Sequence, residues 1–161
     1  MAWPAFFILL LLTIIHLSTE INAPLEICFD LARSVDAHLQ SMQKTKEIAI
    51  AGRTSGLCEL SDTIIWEANH FGIRQRLTVE ISKMDRPRMF EDRMVQGAFK
   101  SMLHEHWFEF NDGNTLMKDK FVYETPLGIL GILFDKVVLK SYMTSLLLKR
   151  NSTLKLLAEN K

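Results

Sequence analysis

The spacing of apolar positions divides the chain into strand-like and helix-like stretches. Ile15, Leu17, Thr19 and Ile21 alternate with His16, Ser18 and Glu20, a period of 2 that predicts a first strand over Ile14 to Ile21. Asn22-Ala23-Pro24 reads as a turn, and Pro24 suits the opening of a helix. Leu25 to Arg33 then carries Ile27, Cys28 and Leu31 at helical spacing. Ser34 caps a second helix, Val35 to about Gln43, with Leu39 and Met42 turned inward. From Glu47 the period returns to 2, with Ile48 and Ile50, and a loop runs from Thr54-Ser55-Gly56 to Asp62.

Residues 63–125 predict strands joined by turns: Thr63 to His70, Ile73 to Met84, Arg88 to Gln96, Met102 to Phe110 and Thr115 to Thr125. The two-residue loop Phe71-Gly72 sets Glu67 opposite Arg76 and Trp66 opposite Leu77. Opposite charges then share one face and apolar groups the other. Asp85-Arg86-Pro87 is a turn, Gly97-Ala98-Phe99 a bend, and Asn111-Asp112-Gly113-Asn114 a strong hairpin signal. After Pro126 one long helix is expected from about Gly128 to Ala158. Leu130, Leu133, Phe134, Val137, Leu146, Leu147, Leu154 and Leu157 are its apolar residues, and Lys136, Lys140, Lys149, Arg150 and Lys155 its wet side. Strand, two helices, about six strands and a long helix make an α+β fold.

Residues 1–13 stand apart. Phe6 to Ile15 is almost unbroken apolar sequence, shorter than the roughly 20 residues that span a bilayer as a helix. Three readings stay open: a greasy extension before the first strand, a membrane anchor or signal, and an N-terminal artefact. A signal would lack a basic start, although cleavage after Ala23 is conceivable. The domain is therefore placed at residues 14–161, with 1–13 as an extension. A cytoplasmic location is expected, and membrane association through residues 1–13 is the alternative.

Composition narrows the function. Nineteen basic residues balance nineteen acidic ones, so no excess positive charge marks a nucleic-acid surface, and no nucleic-acid partner is expected. With 48% apolar residues the chain is not of the disordered class. Two widely spaced cysteines give neither a disulfide framework nor a zinc pattern. No Gly-x-Ser-x-Gly elbow and no glycine-rich phosphate loop is present.

Register arithmetic picks out one cluster. Around the Asn111–Asn114 turn, paired numbers sum to about 225, which sets His106 opposite Asp119 and Phe108 opposite Met117, with His104 and His106 on the apolar face. If the Gly97–Phe99 bend pairs numbers summing to about 198, His106 also faces Asp92, and His104 faces Met94. An inward histidine between carboxylates suits a head-group clamp or, in an enzyme, a general base at His106 supported by Asp119 and Asp92. The plainer reading of the same residues is a self-satisfied buried network. A metal is not expected: side chains two apart on a flat strand lie about 6–7 Å from each other, so both histidines would ligate only by converging. Trp66, Leu77, Val79, Phe90, Met94 and Phe121 are expected on the inner face, with Phe108 beside them and Gln75 as a second polar contact. His70 is expected exposed or structural, His38 at the surface or a hinge, Cys28 inert and buried, and Cys58 accessible in its loop.

Several stretches also carry a family resemblance. They are Ile21-Asn22-Ala23-Pro24, Thr54-Ser55-Gly56, Trp66-Glu67-Ala68-Asn69-His70-Phe71-Gly72, Asp85-Arg86-Pro87, Gly97-Ala98-Phe99, His104-Glu105-His106, Thr115-Leu116-Met117-Lys118-Asp119, Pro126-Leu127-Gly128 and Arg150-Asn151. Over residues 14–158 the chain resembles the bacterial polyketide cyclase/dehydrase-like proteins of the SRPBCC, or START-like, superfamily. The resemblance implies a helix-grip (Bet v 1-like) fold, with a curved antiparallel sheet around a long C-terminal helix. It also implies a cavity for an apolar small molecule such as a lipid or polyketide, with no cofactor. On this reading His104, His106, Asp92, Asp119, Gln75, Trp66, Leu77, Phe90, Met94, Phe108 and Phe121 would meet the ligand. The alternatives are a cyclase/dehydrase-type enzyme and a membrane-associated lipid-handling protein.

Overall fold

The computed structural model of the protein describes residues 12–161. Most of the expected apolar extension therefore lies outside the described residues, and the first strand takes in its last two positions. In chain order the elements are β1 (Leu12–Ile21), α1 (Leu25–Ala32), α2 (Val35–Ser41), a 3-10 turn (Gln43–Thr45), β2 (Ile48–Gly52), β3 (Thr63–His70), β4 (Ile73–Asp85), β5 (Met89–Gln96), β6 (Ser101–Asn111), β7 (Asn114–Glu124), α3 (Gly128–Phe134), a π-helical turn (Asp135–Leu139) and α4 (Lys140–Glu159).

The strands form one antiparallel sheet of seven in the order β1-β7-β6-β5-β4-β3-β2. Its two edges, β1 and β2, are joined in sequence by α1 and α2, so the helix pair bridges the open ends. Ser34 caps α2 by accepting a hydrogen bond from the Ala37 amide, as its sequence position predicts. The 53–62 loop returns beneath the helices: the Val35 amide donates to the Gly56 carbonyl and the Cys58 amide to the Arg33 carbonyl. Arg33, itself buried, donates to the Cys58 carbonyl and pairs with Asp30 and Glu59. Phe29 of α1 fills the space against the sheet, meeting Phe90 and Phe108 edge-on at 5.8 and 5.5 Å between ring centres.

The C-terminal helix differs from the expected continuous amphipathic rod. The π-helical turn interrupts it, and the two sides of the break behave differently. Leu147 and Leu154 of α4 are buried against α1, α2 and β1. Leu130, Leu133 and Val137, expected to face inward, are 73%, 60% and 70% exposed. A change from α to π winding rotates the helix face, so one sequence pattern cannot keep both halves on the core. Leu127 and Gly128, both at positive φ (71° and 54°), turn the chain into α3.

Gly131 anchors the start of α3, where a β-carbon would stand 1.9 Å from the Pro126 carbonyl oxygen and 3.0 Å from Thr125 Oγ1. Alanine gains about 1 kcal/mol of helix propensity over glycine, but here the backbone must move to admit it. Gly131→Ala is therefore expected to lower thermal stability by roughly 1–3 kcal/mol, read by circular dichroism melting. A more stable variant would contradict this packing.

Candidate functional site

The sheet curves around a cavity of about 430 Å³, closed from the other side by α2, α3 and α4. That volume lies within the range of small-molecule sites, and most of the wall is apolar. Of the residues expected to meet a ligand, Trp66, Leu77, Phe90, Phe121, Gln75, Asp92, His104 and His106 line it, as does Val79. Met94, Phe108 and Asp119 do not border the cavity: Phe108 packs into the core with Phe29, Met94 packs beside Gly97, and Asp119 stands behind the histidines. At the opposite end Phe71, Leu127, Leu130 and Phe134 line the cavity and are also exposed, giving it an apolar mouth.

The tight turns set the registers as their loop lengths require. Trp66 pairs with Leu77 and Glu67 with Arg76, and His106 pairs with Asp119. The β5–β6 register is corrected by the structure: His104 lies opposite Asp92 and His106 opposite Phe90, so paired numbers sum to 196 instead of 198. The reason lies in the bend. Met94 and Gln96 stay paired with β4 but leave β6, and residues 97–100 cross between the strands. A shift of two residues keeps every side chain on its own face. The expected His106–Asp92 contact therefore survives as a diagonal one.

The resulting cluster is closely connected. Asp119 Oδ1 accepts from His104 Nε2 and from His106 Nδ1, each at 2.9 Å. His106 Nε2 meets Asp92 Oδ2 at 2.9 Å. Two buried α4 residues complete it: Asn151, to which the sequence assigned no role, and Arg150, expected on the wet side of the helix but turned inward where α4 docks on the sheet. Asn151 Nδ2 donates to Asp119 Oδ2 at 2.7 Å and to Thr19 Oγ1 at 3.2 Å. Arg150 Nη1 lies 3.5 Å from Asp119 Oδ1, and its Nη2 donates to the Ala32 carbonyl. Arg150-Asn151 formed part of the family resemblance, but only the docking of α4 shows what the pair touches.

Protonation follows from this geometry. Burial opposes charge on Asp119, yet the hydrogen bonds from His104 and His106 prevail and hold its carboxyl well below the usual carboxylate range. Asp92 is also lowered: burial again acts against it, and the His106 hydrogen bond and the nearby positive charges outweigh it. Two ionised carboxylates can only accept, and His106 lies between them, with Nδ1 towards Asp119 and Nε2 towards Asp92. His104 is pushed down to about 4 by burial, reinforced by His106 and opposed by Asp119. It is therefore neutral near pH 7, with its proton on Nε2 and a lone pair on Nδ1. Among the described residues Nδ1 has no protein partner.

The remaining candidates move. His38, expected at the surface, lines the cavity, with its ring 4.4 Å from that of Trp66 and its Nε2 2.9 Å from Glu47 Oε1. His70, beside the hairpin turn, also reaches the cavity and bonds Tyr142 at 2.8 Å. Cys58, expected accessible, is buried under the returning loop. Burial, with the charge of Asp62, raises its thiol to about 11. Cys28 is buried as expected, and burial raises its thiol as well.

No family model and no curated protein matches the sequence. Solved structures do match. The Zhui aromatase/cyclase from Streptomyces sp. R1128 superposes with a TM-score of 0.74 at 12% identity, over 92% of this chain and 94% of its own. A START superfamily protein from Mycobacterium smegmatis gives 0.68 at 15% identity, over 91% and 97%. The major latex-like protein 151 from Panax ginseng gives 0.67 at 15% identity, over 92% and 98%. Among the described residues no helix is long and apolar enough to cross a membrane. An antiparallel seven-stranded sheet gripping a C-terminal helix, shared across nearly the whole length of these structures, gives the chain the START-like, Bet v 1-like helix-grip fold.

Proposed function

We propose that the protein binds an apolar small molecule in the cavity, with the His104 end as its polar anchor. The observation that carries this reading is a cavity of about 430 Å³ whose wall is mostly apolar and whose mouth is itself apolar. Burying such a molecule contributes about 25 cal/mol per Å² of apolar surface removed from water. The anchor adds direction: a lone pair on His104 Nδ1 and the carboxylate of Asp92 both accept, which favours a ligand whose polar end carries an O–H or N–H. The fold shared with an aromatase/cyclase supports this reading.

Catalysis by His106 as a general base is not supported by its surroundings. Both of its nitrogens are engaged by carboxylates, so it would have to give up the Asp92 contact before meeting a substrate.

Ala68 lines the cavity and is buried on β3. Ala68→Trp is expected to fill part of the cavity and weaken retention of the bound molecule at least tenfold, with the fold preserved. Native mass spectrometry of the purified protein measures the co-purified ligand, and displacement of a fluorescent naphthalene probe measures affinity. Undiminished probe binding in a folded Ala68→Trp protein would place the ligand elsewhere.

A further inference from the structure

We propose that Asp92, His104 and His106 form a binding site for one divalent first-row transition ion at the polar end of the cavity, with Asp119 orienting both imidazoles. One ligand atom from each of the three residues lies within 4.8 Å of the others. The flat-strand separation of about 6–7 Å does not apply to these rings, whose centres are 3.8 Å apart. They converge because a single oxygen, Asp119 Oδ1, accepts from both.

Asp119 takes the Nε2 proton of His104 and the Nδ1 proton of His106, on the side away from the cavity. That leaves Nδ1 of His104 and Nε2 of His106 as the ligating nitrogens. A carboxylate that accepts the second N–H of each ligating histidine is the usual support of such sites, since it fixes tautomer and ring orientation. Asn151 and Arg150 in turn hold Asp119. His106 Nε2 and Asp92 Oδ2 are 2.9 Å apart. Two ligand atoms about 2.1 Å from a common ion stand roughly 3.0–3.4 Å from each other, so this pair needs to open only slightly to form one edge of a coordination shell.

Occupation needs one exchange. The proton on His106 Nε2 leaves to solvent, its lone pair takes the ion, and Asp92 changes from hydrogen-bond acceptor to ligand. The charges of Asp92 and Asp119 then offset that of the ion. Two imidazoles and one carboxylate suit zinc, cobalt, iron or manganese better than magnesium or calcium. Three protein ligands leave the remaining positions facing the cavity, where a water or the polar end of a ligand completes the shell. The ion takes the acceptor atoms of His104 and Asp92 that would otherwise meet a ligand's O–H or N–H, so a ligand's polar end then reaches the ion instead.

The test is titration of the chelator-stripped full chain with Co²⁺, read by its visible d–d absorption, with ion content confirmed by mass spectrometry. One ion per chain is expected. His104→Ala and Asp92→Ala are each expected to weaken binding at least tenfold, and Asp119→Asn by roughly 10–100-fold with the spectrum retained. His16→Ala, an exposed histidine on β1, should leave binding unchanged. Circular dichroism establishes that each variant is folded, and Asp92, with the most exposed side chain of the three, is the variant best placed to fold. Binding no tighter than millimolar in the unmodified chain would overturn the proposal, showing a self-satisfied ion-pair network. So would Co²⁺ binding that persists undiminished in folded Asp92→Ala or His104→Ala protein.

Discussion

Asp119→Ala is expected to destabilise the protein by about 3–5 kcal/mol, the usual consequence of removing one member of a buried ionic network. The carboxylate is almost fully buried and accepts from His104, His106 and Asn151, with Arg150 beside it. Alanine leaves the two histidine N–H groups without their acceptor, Asn151 with Thr19 alone, and Arg150 without its neighbouring charge. Rehydrating them would require opening the contact between α4 and the sheet. For a chain of this size the loss corresponds to a fall in melting temperature on the order of 10 °C. Asp119→Asn should lose less, because one acceptor oxygen remains, although its amide then opposes another donor. Urea unfolding followed by circular dichroism gives both values. A loss under about 1 kcal/mol for the alanine variant would mean that water replaces the carboxylate at little cost, and that the cluster does not tie α4 to the sheet.

Asp135→Ala is the second large effect, at roughly 2–4 kcal/mol. Asp135 is buried in the π-helical turn, where its carboxylate accepts from the Tyr123 hydroxyl on β7 and the Thr13 hydroxyl on β1. Burial, reinforced by Asp135, pushes the Tyr123 phenol far above its ordinary range, so it remains a donor at any working pH. Without the carboxylate a fully buried tyrosine hydroxyl keeps only the neighbouring Thr13 hydroxyl in place of a charged acceptor. Tyr123→Phe removes the same bond but leaves Asp135 the Thr13 hydroxyl. In the double variant the separate losses should therefore fail to add, with a coupling of at least about 1 kcal/mol. Strict additivity in the double-mutant cycle would show that the two groups do not act together. The contact coincides with the break in the C-terminal helix: Asp135 opens the π-helical turn and reaches both β1 and β7.

The separation between local and long-range information can be followed residue by residue. Registers across tight turns were legible. Phe71-Gly72 and Asn111–Asn114 each leave few ways to pair the flanking strands, and period 2 then assigns every side chain to a face. Hence Trp66 against Leu77 and His106 against Asp119. The bend at Gly97–Lys100 has no such constraint, and there the register slipped by two residues, although the alternation of faces still brought His106 to Asp92. The polar cluster was thus partly legible, through its strand residues alone.

By itself, then, the sequence determined the α+β order, the strand faces and the inward placement of two histidines and two aspartates, because these follow from local periodicity and turn length. Only the tertiary structure decided the rest. It brought Arg150 and Asn151 onto Asp119, drew the two imidazoles together, buried Cys58, turned His38 into the cavity and left Leu130, Leu133 and Val137 exposed. Each of these depends on how a helix or returning loop is rotated and docked against a sheet distant in sequence, and neighbouring residues do not encode that choice.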